Sequence, residues 1–164
     1  MMLRWAKIAL VAAIGFEYTL VAFDNLTDYD SNYQFVRHVL MMDSTFAGNH
    51  GMWRAIDSPA IHTLFYLSII AWESATCLLL WWGVARLMRA VRGTSREFES
   101  AKSVACAGLT LSLLLWLVAF MTVGGEWFMM WQSQAWNGET AAAREFVVAG
   151  IVFLILQQRE GESL

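Results

Sequence analysis

The stretch Val104-Ala105-Cys106-Ala107-Gly108-Leu109-Thr110-Leu111-Ser112-Leu113-Leu114-Leu115-Trp116-Leu117-Val118-Ala119-Phe120-Met121-Thr122-Val123 decides the fold. It runs for 20 residues without a charge. As a helix rising about 1.5 Å per residue it covers about 30 Å, the hydrocarbon thickness of a bilayer. Three more apolar runs flank it, at 5–23, 60–84 and 141–158. The first follows Arg4 and Lys7 as a secretory signal would, but it is long, contains Glu17 and lacks a clear cleavage site, so it is expected to stay as an anchor. The fourth carries Arg144 and Glu145 near its start and crosses only if Arg144 snorkels.

The whole chain agrees with these runs. Of 164 residues, 58% are hydrophobic and 15% charged, and the mean hydropathy is +0.47, against about 45–50% and about 25% in soluble domains. A membrane protein is expected, with no room for a separate catalytic domain. The 11 Lys and Arg form no stripe for a phosphate backbone, so nucleic acid is not an expected partner. The alternating ten-residue segments of an outer-membrane barrel are absent. Cys77 and Cys106 lie inside apolar runs and read as reduced packing residues.

The expected architecture is an all-α, single-domain bundle of four transmembrane helices, up-down-up-down. An external segment at 24–59, a cytoplasmic loop at 85–103 and an external loop at 124–140 connect the spans. With both termini cytoplasmic, eight basic residues lie inside and only Arg37, Arg54 and Arg144 outside, which satisfies the positive-inside rule. Trp5, Trp81 and Trp82 then mark one interface, and Trp127, Trp131 and Trp136 the other. The 24–59 connection is too long for an idle loop. Within it Phe35, Val36, Val39 and Leu40 recur at helical spacing after Ser31, a candidate N-cap. They predict a short amphipathic helix that either lies on lipid or caps the bundle.

Several segments, read together, resemble a known family. They are Phe23-Asp24-Asn25-Leu26-Thr27-Asp28-Tyr29, Phe35-Val36-Arg37-His38-Val39-Leu40, Trp72-Glu73, and Gly124-Gly125-Glu126-Trp127 through Trp136-Asn137-Gly138. The family is a bacterial domain-of-unknown-function family of predicted small integral membrane proteins, and the resemblance covers nearly the whole chain. It implies a four-span bacterial inner-membrane protein and assigns no reaction or catalytic residue.

Chemistry is therefore sought among polar groups at membrane depth, where an ionisable side chain costs about 2.5–3.5 kcal/mol by insertion scales. Glu17 and Glu73 come first. Helical side chains tilt toward their own N-terminus, so the two carboxyls are expected to lean toward each other from antiparallel helices. His62, Tyr66, Glu73 and Cys77 share one stripe of the second span, and Asp24 shares a face with Glu17. Gly108, Ser112, Ala119, Thr122 and Glu126 line a face of the third span, whose small residues allow close approach. The expectation is a polar interior holding Glu17, Asp24, His62, Tyr66, Glu73 and Glu126. Either these groups fix helix register, or they bind a proton, cation, quinone or lipid headgroup.

His38, His50 and His62 lie outside the membrane or at a span entrance, which disfavours bis-histidine haem. His50, His62 and Asp57 match no zinc spacing. The run from Asp28 resembles a calcium loop, but Tyr33 stands at the turn glycine and Val39 at the final Glu. Ser44, Ser58 and Ser133 have no nucleophile-elbow frame. No cofactor or metal is expected, and haem and quinone are the cofactor classes left open. Phe35, Val39, Trp53, Trp127, Met130, Trp131 and Trp136 make more aromatic and Met surface than a short bundle buries, a composition typical of interfaces. The preferred expectation is a non-catalytic accessory or assembly subunit that docks to a larger membrane complex. A binding or transport module built on Glu17 and Glu73 is the alternative.

Overall fold

The computed structural model describes residues 1–159. Their helices are α1 (Met2–Thr27), α2 (Tyr29–Met41), α3 (Pro59–Ala90), α4 (Ser95–Trp127) and α5 (Glu139–Gln157), with short 3₁₀ turns at Met52–Arg54 and Met130–Gln132. Among the described residues, α1, α3 and α4 are long and apolar enough to cross a membrane. Helix α5 packs along α4 but carries Glu139, Arg144 and Glu145 in its first two turns.

The helices outrun the apolar runs. The loop expected over 85–103 shrinks to the four residues between Ala90 and Ser95, because Arg and Glu side chains continue a helix well and keep their heads in water. A capping box starts α4: the Glu97 N–H donates to Thr94 Oγ1 (3.3 Å), and Glu97 Oε2 accepts from the Thr94 N–H at 2.7 Å. Pro59 opens α3 at a first-turn position where its missing N–H costs nothing. Helix α2 is capped at Asp28, two residues before its own Asp30, so Ser31 is not the N-cap.

At one end, the capped end, α2 turns Val36 and Leu40 onto α3 and covers the bundle. Of the two placements the sequence left open for this helix, it takes the capping one. It closes at Met42, whose left-handed backbone (φ 52°) is held by a side chain only 2% exposed. The segment that follows is tied to the loop after α4. Ser44 and Ser133 share a hydroxyl hydrogen bond of 2.7 Å, the Phe46 N–H donates to Gln132 Oε1 (3.1 Å), and Arg54 donates to the Trp127 carbonyl (3.2 Å).

At the opposite, basal end, buried cations hold the helix termini. Arg4 donates to the Val91 and Gly93 carbonyls at 3.0 and 2.7 Å. Lys7 and Lys102 both donate to the Gln158 carbonyl, at 2.6 and 2.8 Å, and Lys102 also pairs with Glu99. A helix C-terminus is the negative end of its dipole, so ammonium groups are favoured there.

Helices α3 and α4 meet through glycines. A Cβ at Gly83 would lie 2.6 Å from the Ala105 Cα, and one at Gly108 would lie 3.0 Å from Leu80. From Ser95 to Leu114 α4 is an ordinary α-helix; from Leu115 to Trp127 it winds as a π-helix. The wider turn is visible in the Phe128 N–H, which reaches back five residues to the Val123 carbonyl (3.0 Å). This change of period undoes the face expected along the third span. Gly108 and Ser112 are buried as the α-helical spacing requires, whereas Thr122 and Glu126 are carried round to the exposed surface.

Candidate functional site

The polar interior is built around Asn25, near the end of α1. Its side-chain amide donates to Glu73 Oε2 on α3 at 2.6 Å, and its amide oxygen accepts from the Tyr66 hydroxyl at 2.9 Å. Tyr66 also reaches the Asn25 main-chain carbonyl at 3.2 Å. All three residues are buried. Tyr66 and Glu73 lie seven residues, two turns, apart on one face of α3, and the amide of Asn25 fits between them because an Asn can donate and accept at once. The rings of Tyr29 and Tyr33 pack against the Tyr66 ring, with centroids 4.7 and 6.1 Å away.

This cluster forms one wall of a cavity of about 180 Å³. Asp24, Asn25, Asn32, Tyr66 and Glu73 supply its polar atoms, and Trp116 and Phe120 of the π-helix supply an aromatic face. Asn32 of α2 donates to Asp24 Oδ2 (3.3 Å), tying the cap to the rim of the cavity. A second crevice, apolar and smaller at about 50 Å³, adjoins it; Phe35, Val36, Ile69 and Phe120 line both. The crevice continues between α2, α3 and the π-helix past Val39, Phe65 and Val123. A polar chamber thus adjoins an apolar slot across shared side chains.

Glu17 and Glu73 do not converge as their opposed tilts predict. Glu73 is satisfied by Asn25, whereas Glu17 lies near Glu145 of α5. Glu145 accepts from Arg144, whose Nη2 stands 2.8 Å away with its side chain 70% exposed. Arg144 therefore reaches outward while Glu145 faces inward.

The other expected site residues divide. Tyr66, Glu73 and Asp24 line the cavity. His62 is buried at the start of α3, and its Nε2 bonds the Ile56 carbonyl at 2.8 Å. There it fastens the loop ahead of the helix and lies outside the cavity lining. Glu126 is exposed on the π-helix.

The aromatic residues expected at a docking surface divide between contacts within the molecule and exposed positions. Met130 is buried, Phe35 and Val39 line the apolar crevice, and Trp136 stacks on His38 with centroids 4.5 Å apart. Trp53, Trp127 and Trp131 remain exposed, with Phe46 beside Trp131. His38 pairs with Asp43 (2.6 Å) and Ser44 with Ser133, while His50, His62 and Asp57 form no metal-sized cluster among the described residues.

Sequence reasoning missed Asn25, Asn32, Glu145 and Tyr18, whose hydroxyl donates to Ser112 at 2.8 Å. Asn25 stands inside the Phe23–Tyr29 stretch, and its heptad relation to Tyr18 was a readable signal. Glu145, from the sequence alone, signals only an obstacle to a fourth span.

No curated protein and no solved structure matches the chain. The family model described as predicted small integral membrane protein (DUF2165) matches residues 3–159. The apolar helices and the family match agree, and the chain belongs to this family of small integral membrane proteins.

Proposed function

We propose that the protein is a non-catalytic, membrane-embedded binding module of the bacterial inner membrane. Its ligand is an amphiphile whose hydrogen-bond-donating head meets Glu73 and Asp24. The observation that carries this reading is the polar chamber lying against the apolar slot, with Phe35, Val36, Ile69 and Phe120 lining both. A hydroquinone has the required form: hydroxyl donors on a flat ring suited to Trp116 and Phe120, followed by an apolar tail. Glu17 belongs to a separate α1–α5 contact in this reading.

The test is equilibrium binding of a short-chain ubiquinol to the purified protein. Glu73→Gln, which keeps the shape and exchanges an acceptor for an amide, is expected to weaken binding at least tenfold, about 1.4 kcal/mol, with the melting temperature little changed. Equal binding by the two proteins would sink the proposal, as would no binding by the native one.

We also propose that α5 completes a four-span, up-down-up-down bundle with both termini cytoplasmic. Supporting this, α5 starts beside the π-helix at the capped end, where Glu139 adjoins Gly125, and closes on Lys7 and Lys102 at the basal end. Its 19 residues cover about 28 Å at 1.5 Å each. Single cysteines introduced at Gln134 and Gln157 in a Cys77→Ala/Cys106→Ala background are expected to label from opposite sides of sealed vesicles. Labelling from the same side would reject the fourth span.

An accessory subunit of a larger complex is the second reading. The exposed Trp53, Trp127, Trp131 and Phe46 at the capped end favour it. Recovery from native membranes in mild detergent of a stoichiometric partner, lost on replacing Trp53 and Trp131 by serine, distinguishes it from the first.

A further inference from the structure

At the basal end, α3 and α4 diverge around an open cleft of about 620 Å³ lined by Arg86, Arg89 and Arg96. Among the described residues, none of the three forms an ion pair; Arg86 makes one long contact, 3.5 Å, to Ser103 Oγ. The acid lining the cleft is Glu97, and its Oε2 already accepts from both the N–H and the hydroxyl of Thr94, at 2.7 and 2.9 Å. Capping thus uses both the carboxylate and the α4 N-terminus. What the cleft offers a ligand is three guanidinium groups, the side chain best suited to bidentate recognition of phosphate.

The surface beside the cleft identifies the source of that phosphate. Leu78 and Trp82 precede Arg89 on α3, and at about 100° per residue all three fall within a stripe of about 40°. Leu78 is 72% exposed and Trp82 58%. Tryptophans at this position mark the headgroup level of a bilayer, and Arg86 follows Trp82 by one turn. An apolar, lipid-facing track therefore leads up to a guanidinium cleft at headgroup height. A soluble anion would have no use for that track, whereas acyl chains would lie along it.

We infer that the α3–α4 cleft is a binding site for an anionic phospholipid, its phosphodiester held by Arg86, Arg89 and Arg96 and its acyl chains laid along Trp82 and Leu78. The site is at the opposite end of the bundle from the Glu73 chamber and independent of it. It is more specific than the diffuse attraction of basic loops for anionic membranes, because it distinguishes lining arginines from their neighbour Arg92, which is exposed outside the cleft.

The experiment is native mass spectrometry of the full chain released from nanodiscs of mixed phosphatidylglycerol and phosphatidylcholine. The native protein is expected to retain phosphatidylglycerol preferentially. Arg86→Gln/Arg89→Gln/Arg96→Gln is expected to lower that retention at least tenfold, and Arg92→Gln to leave it unchanged. Arg89→Glu, a single change that leaves the other basic residues to set topology, is expected to reduce retention on its own and keeps the test valid if the triple variant does not fold. Equal retention of the two lipids, or an equal loss in Arg92→Gln, would overturn the inference. So would full displacement of the lipid by inorganic phosphate, which would mark the cleft as a soluble-anion site.

Discussion

Gly83→Val is expected to lower stability more than any other single change discussed for this protein. The hydrogen that stands in for a side chain at Gly83 faces the backbone of Ala105, and a Cβ there would lie 2.6 Å from its Cα and 2.7 Å from its nitrogen. A flexible side chain could swing away from such an intrusion; a backbone cannot. Relief requires α3 and α4 to separate, which loosens Leu80 from Gly108 and opens the contact between the two most extensively packed helices. Overpacking costs about 1–3 kcal/mol where side chains can yield, so a loss at or above the top of that range is expected. Gly150→Ala is the control, because its Cβ would meet Leu113 at an ordinary 3.7 Å. Thermal unfolding in detergent, followed by tryptophan fluorescence, should separate the two variants clearly. A Gly83→Val protein that melts with the native one would show that the close α3–α4 crossing does not support the fold.

The second large effect is expected at Asn25. Truncation to alanine removes the donor to Glu73 and one of two acceptors for Tyr66. Tyr66 keeps the Asn25 main-chain carbonyl, so the cost falls on Glu73, left buried with a polar group unmatched. Such a group costs about 1–3 kcal/mol. The decisive measurement is a double-mutant cycle with Glu73→Leu. Once the carboxyl is gone the amide nitrogen has lost its acceptor while the amide oxygen still serves Tyr66, and Asn25→Ala should then cost about 1–2 kcal/mol less than it does in the native background. Strict additivity would mean that the 2.6 Å contact contributes nothing to stability.

These two positions also show which features the sequence made legible. The apolar runs announced the long helices, and the Gly and Ser spacing announced a close face on α4 as far as Ser112. Beyond Leu115 the prediction failed because it extrapolated one period. A helix whose N–H groups reach back five residues turns more slowly per residue, so Glu126, counted onto the interior face, emerges on the outside. The tilt argument for Glu17 and Glu73 failed differently. Depth and tilt describe how high a side chain sits on its helix, but partner choice depends on rotation about the axis. That rotation sends Glu17 to α5 and leaves Glu73 to the shorter amide of Asn25. Composition counts tryptophans without showing which of them a neighbouring element meets, as α2 meets Trp136 through Phe35 and His38.

The two lysines that converge on the Gln158 carbonyl have a consequence for biogenesis. Lys7 and Lys102 belong to helices synthesised well before α5, and both are buried in the finished protein, at 1% and 3% exposure. Their shared acceptor, Gln158, follows both of them in the chain by more than 50 residues. The contacts that tie α1 and α4 to the end of α5 can therefore form only after translation has passed Gln158.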